Sequence, residues 1–269
     1  MECGISTASF FGRCQVEDAL SPIARCGARL TEVFVNTFSE YEPDFFRLLL
    51  ARTRQLGLSV YSVHPHSMQF EPQLLSVYPR QRQDALAIYE KILQGAKLLG
   101  AKCYVFHGSS NMAGTLRHPD YGYLGPLIAE LADMAWDYGI TFTWENVSRC
   151  LFCQPEFALR MQDAARTSHL KFTLDVKQAA RSGYDPRDFA RIMGRDLMNL
   201  HLCDYRIRPD GVMEPMLPGR GQWDLAALKE TLSEIGYQGP GFLEVYSRLY
   251  ETEAELAESY RLICRELGS

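Results

Sequence analysis

The residues that could perform chemistry in this chain recur at the ends of short apolar segments. Six such segments end in a side chain able to bind a metal ion or move a proton: His64, His107, Glu145, Asp175, His201 and Glu244. Side chains alternate across a β-strand, and these six all fall on the face that would point inward. Carboxylates gathered in one cavity raise one another's pKa unless a cation offsets their repulsion. The pattern therefore predicts a site for a divalent metal ion.

The identity of the ligands constrains the metal. The predicted set is Glu145, Asp175, His201 and Glu244. Three carboxylates and one imidazole favour a fairly hard, octahedral ion such as Mn2+, Mg2+ or Co2+, and Zn2+ is also compatible. The set contains no thiolate, which argues against a structural zinc. We expect one divalent ion, with Mn2+ favoured.

The elements that must position these residues alternate regularly. Strand-like segments span 3–9, 29–36, 58–64, 102–107, 140–146, 170–176, 197–204 and 241–245. Helical patterns between and after them span 16–25, 43–56, 82–99, 124–138, 154–164, 188–195, 224–235 and 253–266. Repeated strand–helix alternation predicts parallel strands, and eight units in 269 residues favour an α/β fold of the (β/α)8 TIM-barrel type in a single domain, 1–269. An open doubly wound sheet is the alternative, but no GxGxxG motif follows the first strand.

The predicted strands also sort their side chains by size. Phe142 and Trp144 share one face, which we expect under the helices, whereas Thr143 shares the other face with Glu145. Polar residues occupy the matching inner positions of the next two strands: Lys171, Thr173 and Asn199. Polar groups inside a barrel must be hydrogen-bonded or ligated, so this interior predicts a functional site at the carboxyl ends of the strands.

Composition excludes several classes of function. The chain has 28 Lys+Arg against 33 Asp+Glu, a net charge of −5, which lacks the basic footprint of a nucleic-acid-binding protein. It has no apolar run of about 18 residues, so we expect no membrane span. The first residues do not read as a secretory signal, and the cysteines are scattered. These features favour a cytoplasmic protein.

Several sequence blocks resemble the sugar isomerase/epimerase superfamily of xylose isomerase-like barrels. They are HPH, FTWENVS, FTLDVKQ, NLHLCD and PGRGQWDLAALKETLSEIGYQGPGFLEVY. The resemblance implies one divalent metal held by Glu145, Asp175, His201 and Glu244. It also implies that Glu145 and Glu244 act as an acid/base pair on opposite faces of the substrate. A small carbohydrate substrate and a possible homo-oligomer follow from the same resemblance.

The expected reaction is proton transfer through a metal-bound cis-enediolate of a sugar or sugar phosphate. Return of the proton to the same carbon is epimerisation, and return to the neighbouring carbon is isomerisation. We expect His64 and His107 to bind the substrate, together with Gln178 and Arg206. Arg206 lies in the long segment 205–223, which also contains Arg208 and Arg220 and which could bind a phosphate group.

Two positions depart from the pattern of the superfamily. The family often has a histidine where this chain has Gln178, and an amide cannot shuttle a proton. The epimerase branch tends to have a glutamate where this chain has Leu151. The endonuclease branch needs further histidines at position 178 and within 207–221, and none occurs there. We therefore expect no DNA repair activity.

Two alternatives to a sugar isomerase or epimerase stay open. A dehydratase acting on an inosose or keto sugar would use the same metal and the same proton abstraction, but would then expel a hydroxyl group. The barrel could also be a non-catalytic metal- or ligand-binding module, because a fold does not fix a function.

Overall fold

Eight parallel strands close into a barrel in a computed structural model that describes residues 1–66, 68–109 and 119–268. The barrel strands are β1 (Cys3–Ser6), β2 (Leu30–Val35), β3 (Ser59–Pro65), β4 (Cys103–Phe106), β5 (Thr141–Glu145), β6 (Leu170–Asp175), β7 (Leu197–Leu202) and β10 (Gly241–Leu243). β1 pairs with both β2 and β10, which completes the closure. The predicted TIM-barrel fold class is confirmed.

Helices cover the outside of the barrel. They are α1 (Val16–Arg25), α2 (Pro43–Leu56), α3 (Glu71–Leu74), α4 (Pro79–Leu99), α5 (Tyr121–Asp137), α6 (Phe157–Ala165), α7 (Val176–Arg181), α8 (Pro186–Met193), α9 (Leu225–Glu234) and α10 (Glu253–Leu267). Proline at the first helical position starts α2, α4 and α8, where its missing N–H costs nothing. Gly100 ends α4 with φ of +75°, a left-handed conformation that glycine adopts without strain. Among the described helices, none combines the length and apolar character needed to cross a bilayer.

The predicted sorting of side chains by size is confirmed in β5 and β6. The Trp144 ring lies outside the barrel wall, with its centroid 4.9 Å from that of Phe157 on α6. The Thr173 hydroxyl donates to the Thr143 hydroxyl inside the barrel at 2.8 Å. Lys171 was wrongly expected in this polar interior. Its side chain is 26% exposed and pairs with Asp196 at the start of β7, because a long lysine at the amino end of a strand can reach solvent.

The short helices α3 and α7 were not predicted, and two further segments also differ from the predicted elements. Residues 7–9, expected to continue the first strand, form part of a 3-10 helix, Thr7–Phe10, because the Ser6 hydroxyl accepts from the Ala8 N–H and turns the chain. The segment after β7 contains an antiparallel hairpin, β8 (Asp204–Ile207) and β9 (Met213–Met216). An Asp-Gly pair, a common hairpin turn, lies between these strands.

Candidate metal centre

Four predicted ligands come together at the carboxyl ends of the barrel strands. Glu145 and Asp175 end β5 and β6, His201 lies one residue before the end of β7, and Glu244 follows β10. His201 Nδ1 is 3.0 Å from Glu244 Oε2 and 3.4 Å from Glu145 Oε1. Ligand atoms of Glu145, Asp175 and His201 all lie within 4.8 Å of one another. Glu244 is 9% exposed, and the other three side chains are buried more deeply.

Two atoms at the centre of this group have no hydrogen-bond partner among the residues that the structure describes. They are His201 Nδ1 and Glu244 Oε2, and both are buried. A buried polar atom without a partner destabilises the fold. A cation or a proton between two such atoms that face each other would satisfy both of them. The neighbouring Glu145 oxygen is a third ligand atom of the kind that binds divalent metal ions. The residues present therefore fit a divalent metal ion.

Glu32 orients His201, and this residue did not emerge from the sequence patterns. Its Oε2 atom is 3.0 Å from His201 Nε2 on the far side of the ring from Glu244. A carboxylate at Nε2 favours the tautomer with the proton on that nitrogen, which leaves the Nδ1 lone pair facing the proposed ion. The signal available in the sequence was a single charged residue in the largely apolar strand LTEVFV.

Glu32 is held as an ion inside the barrel. It is fully buried and accepts hydrogen bonds from Ser6 at 3.0 Å and Ser62 at 2.7 Å. Burial alone would raise its pKa, but His201 and His64 more than offset that effect and hold the pKa well below its usual range. The same carboxylates act on His201: burial lowers its pKa, but Glu244, Glu32 and Glu145 together raise it well above normal. The site thus attracts positive charge.

Lys177 is the second residue that the sequence patterns missed. It is 2% exposed, and its ammonium group donates to Asp175 Oδ2 and, at 2.7 Å, to Glu244 Oε1. Burial lowers the pKa of this lysine, but Asp175 and Glu244 raise it well above normal, so the group stays charged. Lys177 is therefore a fixed cation that bridges two of the predicted metal ligands.

Local hydrogen bonds fix the position of Asp175. Its Oδ1 atom accepts the Gln178 N–H at 2.9 Å and so caps α7. The Asn146 side chain accepts from the Asp175 N–H at 2.7 Å and donates to its carbonyl at 3.0 Å. Burial raises the pKa of Asp175 to about 6, while Lys177 acts in the opposite direction.

His64 and His107 meet the second oxygen of Glu145. His107 Nε2 is 2.7 Å from Glu145 Oε2, and His64 Nε2 is 2.8 Å from His107 Nε2. His64 Nδ1 lies 3.4 Å from Glu32 Oε1. A continuous line of polar contacts therefore runs from Glu32 through both imidazoles to Glu145. These residues also satisfy the spacing of metal ligands in two further groupings, one of Glu32, His64, His201 and Glu244 and one of His64, His107 and Glu145.

A cavity of about 270 Å³ opens above these residues. It is lined by Ala8, Phe11, Phe34, His64, His66, His107, Glu145, Arg149, Lys177, Gln178, Glu244, Val245, Tyr246, Ser247 and Arg248. The predicted substrate-binding residues His64, His107 and Gln178 are therefore in the lining. The Gln178 side-chain oxygen also accepts from the Ser148 hydroxyl at 2.8 Å, which ties α7 to the loop after β5.

Arg206, predicted to bind substrate, is not brought to this cavity. It lies on β8, is half exposed and pairs with Glu214 on β9 at 2.7 Å. Its neighbours in the same segment are also paired, Arg208 with Asp210 and Arg220 with Glu255. Arg206 and Arg208 pair with acids of the hairpin itself, and Arg220, beyond it, pairs with an acid on α10, so the three charges are locally neutralised.

Glu71 on α3 holds the loop that carries His107. One oxygen of this buried carboxylate accepts the N–H groups of His107 at 2.9 Å and Gly108 at 3.1 Å. The other accepts the Tyr104 hydroxyl at 2.9 Å. Burial raises the pKa of Glu71 to about 7, so this support of the loop that carries His107 titrates near neutral pH.

Comparisons with known proteins agree with this fold. The chain belongs to the xylose isomerase-like TIM barrel family, whose sequence model matches residues 20–266. An uncharacterized protein of Mycobacterium bovis is 38% identical over 96 residues, so the match spans 34% of this chain and 34% of that relative. A D-psicose 3-epimerase from Clostridium cellulolyticum H10, crystallised with D-tagatose, aligns with a TM-score of 0.82 at 18% identity over 100% of both chains. The IolI protein, crystallised with a zinc atom, aligns with a TM-score of 0.79 at 17% identity over 99% of this chain and 98% of that one.

Proposed function

We propose that this chain is a divalent-metal-dependent isomerase or epimerase of small sugars or sugar phosphates. The observation that carries the proposal is the pair of acids Glu145 and Glu244, which approach His201 Nδ1 from two strand ends at 3.4 Å and 3.0 Å. Both acids also line the cavity where a substrate would bind. The solved structures of sugar epimerases with the same fold add support.

The proposed ligands of the ion are Glu145, Asp175, His201 and Glu244. Mn2+ is the favoured ion because carboxylate oxygens dominate the set. When bound, a divalent cation supplies Lewis-acid stabilisation of negative charge that develops on substrate oxygens. Glu32 contributes indirectly, since it orients the His201 ring through Nε2.

The chain's own residues supply the proton transfer. One of Glu145 and Glu244 takes a proton from the carbon beside the substrate carbonyl, and the other returns a proton from the opposite face. His64 and His107, at the wall of the cavity, are placed to hydrogen-bond substrate oxygens. Lys177 adds a permanent positive charge next to Glu244 and so favours the development of anionic charge on the substrate.

Incubation of the Mn2+-loaded protein with a panel of ketoses in deuterated water tests this function. We expect solvent deuterium at the epimerised or isomerised carbon of the recovered sugar. In Glu244→Gln we expect incorporation to fall at least about 100-fold, the usual range for loss of a general acid or base, with the fold intact. Mass spectrometry and NMR of the sugar measure the label, and circular dichroism checks the fold.

Glu214→Gln is the matched control, since Glu214 lies on the exposed hairpin and pairs with Arg206. Full deuterium incorporation by Glu244→Gln would contradict the proton-transfer role. Formation of an ultraviolet-absorbing enone or dicarbonyl product, with no deuterium in the recovered sugar, would contradict the proposal and would indicate a dehydratase.

A further inference from the structure

The outer part of the cavity carries positive charge that the proposed reaction does not use. Three arginines surround its entrance, and we call them the cationic rim: Arg149 after β5, Arg181 at the end of α7 and Arg248 after β10. Arg149 and Arg248 line the cavity directly. Arg181 joins them through Tyr246, another lining residue, whose hydroxyl accepts from Arg181 Nη1 at 3.0 Å.

Two of these arginines, together with Lys177, lie around the ring of Tyr246. The Arg248 guanidinium carbon is 4.5 Å from the centroid of the ring, and that of Arg181 is 5.8 Å away. Lys177, below them in the cavity, has its Nζ atom 5.8 Å from the same centroid. Contact with the face of a tyrosine offsets only part of the repulsion between three neighbouring cations.

The rim arginines lack acidic partners. Within residues 1–66, 68–109 and 119–268, no ion pair to a carboxylate within 4.0 Å forms at Arg149, Arg181 or Arg248. This contrasts with the three arginines of the β8–β9 segment, each of which is paired. The guanidinium groups of the rim therefore keep donors available for a ligand at the cavity entrance.

We propose that the cationic rim binds an anionic group of the substrate, a phosphate or a carboxylate. Guanidinium groups bind both oxyanions through paired N–H donors. This inference deepens the proposed function, and it rests on that function only for the sugar part of the substrate. The substrate class is then a keto sugar with a charged group at the end remote from the reacting carbon.

The distribution of charge along the cavity also fixes the direction of binding. At the inner end, Lys177 and the proposed ion already offset the charges of Glu145 and Glu244, whereas the rim arginines at the outer end have no acidic partner among the described residues. An anionic substrate therefore enters with its uncharged carbonyl end toward the glutamates and its charged end over Tyr246. The cavity of about 270 Å³ is close to the lower limit for small-molecule sites, which suits a monosaccharide derivative and not a polymer.

Binding of inorganic phosphate to the Mn2+-loaded protein tests the rim directly. We expect the Kd, measured by calorimetry, to rise at least tenfold in the double variant Arg181→Gln/Arg248→Gln. Arg47→Gln is the matched control, because Arg47 is an exposed arginine that pairs with Asp44 on α2. Equal phosphate affinity in wild type and double variant would overturn the proposal. Thermal unfolding of each variant verifies that the fold is kept.

A second comparison distinguishes the two anions. Wild type is titrated with a neutral ketohexose, its terminal phosphate ester and a 5-keto-hexonate, a keto acid whose carboxylate is at the end remote from the carbonyl. If wild type binds the phosphate ester at least tenfold more tightly than the neutral sugar, and the double variant does not, the rim binds phosphate. If the keto acid shows this difference in affinity instead, the rim binds carboxylate. Equal affinity for all three compounds overturns the anion site. If anion binding depends on the rim arginines but none of the three compounds exchanges a proton for solvent deuterium, the anion site is supported. The same result contradicts the proposed isomerase or epimerase function.

Discussion

At the scale of single residues, the chemistry of this centre depends on how positive charge is shared among buried carboxylates. Glu32, Glu145, Asp175 and Glu244 lie within one small region, and Lys177 is the basic side chain that bridges two of them. Removing one member of a buried ion pair leaves its partners with uncompensated charge and costs about 3–5 kcal/mol. The ammonium group and the proposed divalent ion would therefore stabilise the same set of acids.

Replacement of Lys177 tests this sharing of charge. In Lys177→Met we expect the metal-free protein to lose about 3–5 kcal/mol of unfolding free energy, because Asp175 and Glu244 lose their partner. Mn2+ should then stabilise the variant more than it stabilises wild type. Chemical denaturation with and without Mn2+ measures both effects. Lys91→Met, which breaks an exposed pair with Glu42, is the control, and equal metal stabilisation of wild type and Lys177→Met would contradict the account.

Replacement of Glu32 tests the orientation of His201. In Glu32→Gln the contact to Nε2 no longer selects the tautomer that presents Nδ1 to the ion, so we expect Mn2+ affinity to fall about 10- to 100-fold. Isothermal titration calorimetry measures the affinity. The control is Glu40→Gln, a buried carboxylate that accepts from the Asn36 N–H away from this centre. Unchanged affinity in Glu32→Gln would show that this contact has no influence on the metal.

Sequence patterns could locate the residues at strand ends but not their supports. Alternation along a strand identifies Glu145, Asp175 and His201 because each occupies an inward position near the end of its strand. Glu32 lies in the middle of β2, at a shift in register between β2 and β3, and not at a strand end. Its role is therefore visible only from its contact with His201 on β7. Lys177 is the second residue of the helix α7, and strand alternation says nothing about a residue there.

At the scale of elements, the short helix α3 supports the loop that carries His107 through a carboxylate that titrates near neutral pH. The four residues of α3 were not predicted, because a single helical turn leaves no periodic pattern. Its Glu71 binds the backbone of His107 and Gly108. The hairpin β8–β9 likewise escaped prediction, although its Asp-Gly turn was present in the sequence.

Glu71 predicts a specific pH dependence of stability. Its pKa is about 7 in the folded protein against a usual value of 4.5, so the folded state holds this proton more tightly than the unfolded state. The resulting stabilisation is complete below pH 4.5 and is lost as the pH rises through 7. Glu71→Gln keeps an acceptor for the two backbone N–H groups, offers Tyr104 an amide donor in place of the carboxylate acceptor, and cannot ionise. Between pH 4.5 and pH 7, we expect the unfolding free energy of wild type to fall by about 3 kcal/mol relative to that of this variant.

Denaturant unfolding of both proteins at a series of pH values checks this prediction. Groups other than Glu71 are common to both chains, so the difference between them isolates this carboxyl. A difference in unfolding free energy that stays constant from pH 4.5 to pH 7 would contradict the raised pKa of Glu71.

At the scale of the whole molecule, the closed barrel explains why residues far apart in the sequence act together. Strand alternation and the (β/α) rhythm predicted this closure, because eight parallel units have few other ways to bury both faces of a sheet. The extent of the domain, 1–269, stays a prediction. The direction of charge along the cavity, acidic inside and cationic at the rim, could not be predicted, because it depends on how separate loops meet around Tyr246.

The central claim is that one divalent ion is bound where these strand ends converge. Calorimetric titration of Mn2+ into chelator-treated protein tests it most directly, with His201→Gln as the variant and His169→Gln, on the outer surface beside Trp136, as the control. We predict one Mn2+ per chain in wild type and control, and a loss of affinity of at least about 100-fold in His201→Gln. Absence of Mn2+ binding in wild type, or equal binding by His201→Gln, would contradict the account.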